Sequence, residues 1–211
     1  PFINCTQCGP RYTLIESLPY DRENTSMADF ELCDDCEREY NAVLDRRYHA
    51  EPVACEVCGP VLRFHQPGAI DIVDNETALD ACVTALREGD IVAIKGIGGY
   101  HLACDARNDE AIAKLRQRKQ RPHKPLAVLF DESMLLRYTS ADAVELETLR
   151  SSMRPVVLVA QATDAEAVER LGEGISPGLD SVGALLAYSP LHSLLLKDFA
   201  APLVLTSANI S

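Results

Sequence analysis

Beyond residue 66 the apolar positions switch repeatedly between a helical and a strand period, and that alternation organises the chain. Residues 77–88 set Leu79, Cys82, Val83 and Leu86 at helical spacing and run into Gly89, which predicts a helix with Cys82 in its buried stripe and a glycine cap. Residues 91–94 are a short apolar strand. In the next helix Asn108 is the expected N-cap, and Asp109 and Glu110 suit its positive end. Ile112, Leu115 and Lys119 share one face, and the helix must stop near Pro122. Residues 125–130 read as a buried strand, 141–151 as a helix, 155–160 as a second buried strand and 171–178 as a glycine-rich loop. Residues 181–187 form a further strand, 191–199 a short helix after Pro190, and 202–205 a last strand. Such alternation predicts an α/β sheet domain over residues 67–211.

Residues 1–66 follow another rule. The segment 11–30, with Pro19, Asp21, Asn24 and Thr25, is polar and turn-rich and reads as a linker rather than a core element. What gives this region a fold is cysteine. Cys33-Asp-Asp-Cys36, eighteen intervening residues and Cys55-Glu-Val-Cys58 supply four thiolates in two knuckles, enough for one closed tetrahedral zinc site of structural type. A redox dithiol is the alternative, but no thioredoxin-like βαβ pattern surrounds these residues. Cys5-Thr-Gln-Cys8-Gly9-Pro10 repeats Cys55-Glu-Val-Cys58-Gly59-Pro60, so Cys5 and Cys8 read as the second half of another finger whose first half lies upstream. His49 is a lesser candidate ligand beside four cysteines. A turn at His65-Gln66-Pro67-Gly68 marks the expected boundary between a zinc-finger module, 1–66, and the sheet domain, 67–211. A start at Pro1 and an end at Asn209-Ile210-Ser211 suggest a segment of something longer.

Composition narrows the function. At 211 residues, 47% hydrophobic and 25% charged, the chain is an ordinary globular one, and no apolar run approaches a membrane span. A net charge of -12 and a pI near 4.8 argue against broad nucleic-acid or anionic-membrane binding. CxxC pairs used as metal ligands imply a reducing compartment, hence a cytoplasmic protein.

Against that acidic background, residues 114–124 carry six Lys or Arg with no acidic residue among them. Cations at a helix-to-strand corner suit several phosphate oxygens held at once, with Lys119, Arg121 and Lys124 as candidates; a solvated basic face is the alternative. The string Lys95-Gly-Ile-Gly-Gly-Tyr-His101 contains Gly96, Gly98 and Gly99. These could let a ligand approach the backbone, or could simply make a turn between two strands. Lys95 and His101 are weaker candidates for contacting a small substrate. Thr206, Ser207 and Asn209 follow the last strand, where open α/β sheets bind ligands, although an N-cap and turn cluster explains them as well.

Taken together, Lys119-Gln-Arg121, Lys124-Pro-Leu and Ser207-Ala-Asn209 resemble the KxR and SxN signature of YrdC-type domains, which make acyl-adenylates from ATP. Preceded by CxxC fingers, and with the strings CTQCGPRYT, LDRRYHA and KGIGGYHLACDA, the chain is similar throughout to the HypF family of hydrogenase-maturation carbamoyltransferases. That resemblance implies a YrdC-like twisted α/β (α+β) sheet domain behind a zinc-binding finger module. It implies structural zinc, and ATP with Mg as substrate. Carbamate released from carbamoyl phosphate would be adenylated, and the acceptor would be the C-terminal Cys of a HypE-type partner on the way to the cyanide ligands of nickel-iron hydrogenase. Stand-alone YrdC proteins carry a threonine-greeting Pro-Thr-Asp/Glu-Thr-x-Tyr-Gly-Leu string where this chain has Lys95-Gly-Ile-Gly-Gly-Tyr-His-Leu, which favours the smaller carbamate. Two rival readings remain: a threonylcarbamoyl-AMP synthase acting in tRNA modification, and a non-catalytic finger scaffold or chaperone.

Overall fold

The computed structural model describes residues 13–96, 99–162 and 169–209. These fall into two compact units, Pro1–Asn75 and Glu76–Ser211. Among the described residues no helix is long and apolar enough to cross a membrane.

The first unit is small. It holds a 3-10 turn, Arg22–Asn24, helix α1 (Asp34–Asn41) and a two-stranded sheet of β1 (Arg63–Phe64) and β2 (Ile72–Val73). The His65-Gln66-Pro67-Gly68 turn lies between these paired strands, and the chain divides into its compact units at Asn75. The expectation of a mere linker over 11–30 is overturned for its described part. Ile15 bridges Thr25, and Thr25 and Met27 are buried. Arg22 donates from Nη1 to the carbonyls of Glu51 (2.7 Å) and Val53 (2.8 Å) and from Nη2 to that of Phe30 (2.7 Å). Polarity that looked solvated is used internally, because a module with so little apolar surface fixes its loops through backbone carbonyls.

The second unit is a six-stranded sheet in the order β3-β4-β8-β5-β7-β6. Its strands are β3 (Val92–Gly96), β4 (Gly99–Asp105), β5 (Ala127–Phe130), β6 (Val157–Ala160), β7 (Ser181–Leu186) and β8 (Leu203–Ser207). Its helices are α2 (Asn75–Arg87), α3 (Asp109–Lys119), α4 (Glu132–Tyr138), α5 (Ala143–Arg150) and α6 (Pro190–Phe199). Only β5 and β7 pair in parallel; the other neighbours are antiparallel. The sheet is therefore mixed, and its ligand face cannot be located by the strand-end rule of parallel sheets. Helix α4 was not foreseen, because it is short and its N-cap, Asp131, directly follows β5. Asn108 caps α3 as expected, accepting from the Ala111 N–H at 3.1 Å, and the helix ends at Gln120 in the left-handed region, φ +52°.

Strand alternation divides the sheet's two faces. Val128, Phe130, Val182, Ala184 and Val204 pack with Ile112 and Leu115 of α3, Leu135 of α4 and Leu149 of α5 in one core. Residues of opposite parity, Ala103, Leu129 and Leu203, are buried on the other face, and the remaining buried apolar side chains come largely from α2 and α6. Toward the β6 side that second face is not fully covered. A cleft opens there.

Candidate functional site: a four-sulfur centre and a cationic cleft

In the finger module, Cys33 is the N-cap of α1 and Cys36, 1% exposed, lies in its first turn. Cys55 and Cys58 sit on a tight turn closed by the Gly59 N–H on the Cys55 carbonyl, 2.8 Å; a Cβ on Gly59 would come within 2.6 Å of that oxygen. The Val57 N–H also points at Cys55 Sγ, 3.3 Å away. All four sulfurs lie within 4.8 Å of one another, with Cys33–Cys55 at 3.6 Å and Cys55–Cys58 at 3.7 Å. Tetrahedral zinc with bonds of about 2.3 Å needs sulfurs roughly 3.8 Å apart, so the residues present fit that ion. Burial opposes ionisation of Cys58, but backbone hydrogen bonds at Cys33 and Cys55 outweigh it and bring the thiol to about 6. Burial, then the neighbouring thiols, drives Cys36 upward, so the set needs a cation to hold four thiolates together. His49 stands outside the cluster, its ring against Tyr40 and Tyr48. Cys5 and Cys8 lie outside the described residues.

The cleft of the sheet domain has a volume of about 480 Å³. Its floor is low because Ala127 and Gly183 face each other in the β5–β7 register, and Leu158, Leu185 and Leu205 complete an apolar surface. Polar groups line the rest: Arg121, Arg154, His101, Tyr188, Thr206 and Ser207. No carboxylate lines it among the described residues. The finger module contains a larger cavity, about 530 Å³. Asp21, Glu23, Glu31 and Glu37 line it, and Arg22 is already committed to carbonyls, so a phosphate would be repelled.

Three cations of α3 and the following turn do different work. Arg116, 9% exposed, donates to five carbonyl oxygens: Arg121, Pro122 and Lys124 in the turn, and Gly174 and Ile175 in the glycine-rich loop. It holds the turn that presents Arg121. Lys119, 3% exposed, donates from Nζ to the carbonyls of Ser207 (2.6 Å) and Asn209 (2.9 Å). Burial lowers its pKa, and the charge of Arg121 lowers it further. Arg121 gives Nη2 to the Pro125 carbonyl at 3.3 Å, while its buried Nε has no hydrogen-bond partner among the described residues. An unpaired guanidinium N–H at a cleft is the group an anion would satisfy.

Ser207 ends β8 directly opposite His101 on β4, and Ser207 Oγ contacts Asn209 Oδ1 at 2.5 Å. His101 Nε2 lies 3.3 Å from Tyr188 Oη, and Tyr188 stacks edge-on against His192, which is 1% exposed. A Cβ on Gly96 would meet His101 Cε1 at 2.6 Å, so this glycine makes room for the imidazole. Gly96 pairs with Gly99 at the adjoining ends of antiparallel β3 and β4. Gly99 needs its glycine, with φ at +143°. Gly98 lies outside the described residues. Lys95 is exposed with Nζ 5.5 Å from the centroid of Tyr100, and Lys124 is exposed; neither lines the cleft. Sequence reasoning missed Arg116, Arg154, Tyr188 and His192. Arg116 was legible, four residues from Ile112 and three from Lys119 on the stripe that is buried; the other three become neighbours of the cleft only through the fold.

With this geometry in hand, residues 84–211 match the Sua5/YciO/YrdC family, described as telomere recombination, and residues 1–15 and 32–65 match the HypF finger. The chain belongs to the Sua5/YciO/YrdC family and carries a HypF-type finger module ahead of the family domain. It is 49% identical over 212 residues to the carbamoyltransferase HypF of Synechocystis sp. and 44% identical over 210 residues to that of Rhodobacter capsulatus. In both cases the match covers 100% of this chain and 27% of the relative's length. Among solved structures, full-length HypF in a phosphate- and nucleotide-bound form is similar with a TM-score of 0.86 and 45% identity, covering 100% of this chain and 27% of that one. HypF of T. kodakarensis is similar with a TM-score of 0.87 and 44% identity over the same shares. Sua5 of P. abyssi complexed with L-threonine has a TM-score of 0.53 and 23% identity, over 64% of this chain and 40% of that one, and so shares the fold alone.

Proposed function

We propose that this chain is the zinc-supported nucleotide-handling part of a carbamoyltransferase, forming carbamoyl-adenylate from ATP and carbamate. One observation carries the reading: a cleft with a partnerless buried Arg121 nitrogen beside the Ser207–Asn209 turn, which Lys119 holds in place. Similarity along the whole of this chain to a 27% share of HypF proteins, one of them solved with phosphate and nucleotide, supports it.

Arg121, aided by Lys124 from the exposed side of the turn, holds triphosphate oxygens, while Thr206, Ser207 and Asn209 fix the nucleotide by hydrogen bonds. Lys119 shapes that turn from beneath. Lys95 and Gly99, near the paired ends of β3 and β4, serve the small-substrate end in this reading, and His101 faces the small acyl group. With no carboxylate among the described lining residues, Mg arrives on the phosphates of the nucleotide rather than on a protein cage. A carbamate oxygen attacks the α-phosphorus in line, the bond to the bridging oxygen breaks, and pyrophosphate leaves with that electron pair. Positioning and charge neutralisation supply the rate, since little covalent chemistry falls to the protein. In the whole protein, carbamate comes from carbamoyl phosphate, and the carbamoyl group passes to the C-terminal Cys of a HypE-type partner. The finger cysteines hold a structural zinc, and the reducing cytoplasm is the compartment that suits them.

A threonylcarbamoyl-AMP synthase of Vibrio parahaemolyticus is 29% identical over 135 residues, which keeps a threonine-using reading on the table. Likeness to part of HypF along this whole chain, finger included, favours carbamate. Calorimetry with MgATP on Arg121→Ala tests the nucleotide site: affinity falls by about 1 to 3 kcal/mol in a folded variant, and unchanged affinity refutes the reading. Pyrophosphate release dependent on carbamate, and not on threonine, decides the acyl substrate.

A further inference from the structure

We propose that Tyr188 and His101 act as a hydrogen-bonded pair that presents the phenolic proton to an oxygen of the small planar acid in the cleft. Both residues line the cleft, and Tyr188 Oη lies 3.3 Å from His101 Nε2. Neither is a charged phosphate ligand, so the pair serves a different part of the substrate from Arg121. The inference rests on the acyl-adenylate reading above and adds the residue that recognises the acyl half.

The direction of the shared proton follows from counting hydrogen-bond partners. A neutral imidazole carries one proton, on Nδ1 or on Nε2. His101 Nδ1 is buried without a partner among the described residues, with its ring against the open Cα of Gly96. Placing the proton there would bury an orphaned N–H, the rarer and costlier defect, whereas a bare Nδ1 leaves only an unfilled acceptor. The proton therefore belongs on Nε2, which donates to Tyr188 Oη. That leaves the Tyr188 O–H free to donate elsewhere, and the cleft is where a new acceptor can enter.

The surroundings keep the pair uncharged. Burial lowers the pKa of His101 and raises that of Tyr188. His192, packed edge-on against Tyr188 with ring centroids 4.4 Å apart, makes no hydrogen bond to the phenol among the described residues. His101 also faces Ser207 across the β4–β8 register, which puts the pair next to the turn assigned to the nucleotide. A carbamate or bicarbonate held by the phenol would therefore sit beside that turn.

Two measurements on the full-length natural protein test this. Long-range proton–nitrogen NMR on histidine should show His101 as the neutral tautomer protonated at Nε2 at pH 7; protonation at Nδ1, or a charged ring, overturns the pairing. In ATP–pyrophosphate exchange, with bicarbonate and ammonia as the carbamate source, Tyr188→Phe should raise the KM for the carbon source roughly tenfold or more and move the KM for ATP less than about twofold. His101→Gln, whose amide can still donate to Tyr188, should retain more exchange than His101→Ala. Unchanged KM values in Tyr188→Phe, or a parallel loss of ATP affinity, overturn the inference while leaving the nucleotide site standing. A wild-type protein that binds no ATP in this cleft sinks the adenylate reading and this inference with it.

Discussion

Lys119 Nζ lies 2.6 Å from the carbonyl oxygen of Ser207, so the end of α3 is tied to the end of β8 by a charged donor that is itself nearly inaccessible. The KxR and SxN signatures are thus one structural unit. Lys119→Met, which keeps much of the stem and removes the donors, should loosen residues 207–209 and weaken ATP binding about as much as Arg121→Ala does. Binding that survives in Lys119→Met would show that the turn holds itself.

Arg116 gives a second prediction, because it satisfies carbonyls from two loops at once. Arg116→Ala should destabilise the sheet domain by about 3 kcal/mol or more, and Arg116→Lys should recover little, since an ammonium cannot reproduce the planar fork. Urea unfolding measures this. A loss under 1 kcal/mol would mean that water replaces the guanidinium.

His192 makes stability pH-dependent. Burial, then the proximity of His101, lowers its pKa from 6.5 to about 4. Between those values the unfolded chain binds the extra proton, so this stabilisation is complete above about pH 6.5 and is lost as the pH falls toward 4, by about 3 kcal/mol in all. The unfolding free energy followed from pH 7.5 to 4.5 should fall more steeply in the wild type than in His192→Leu. Parallel curves would refute the assignment.

The four-sulfur centre predicts one zinc per chain from Cys33, Cys36, Cys55 and Cys58. Cys36→Ser should abolish that zinc, and chelation should unfold the finger module while the circular dichroism of the sheet domain persists. Metal content unchanged in Cys36→Ser would move the site elsewhere.

Much of this protein is settled by local sequence. The CxxC spacing determines the metal centre because a knuckle is made by neighbouring residues and a thiolate's preference for zinc needs no wider context. The Asn108 cap and the Ile112, Leu115, Lys119 stripe determine α3 for a similar reason, since helical hydrogen bonds and faces close within a few residues. Strand order was not local. Which strands pair, and that β5 and β7 alone run parallel, depends on contacts between segments far apart in the chain, and short apolar runs carry no address for their partner. The same holds for the cleft: Arg121 could be suspected from charge alone, whereas Tyr188 became part of the site only when β7 and α6 brought it to His101 on β4. Arg22 shows the converse, a polar residue in a turn-rich stretch whose donors are taken up by carbonyls that only the folded chain brings within reach.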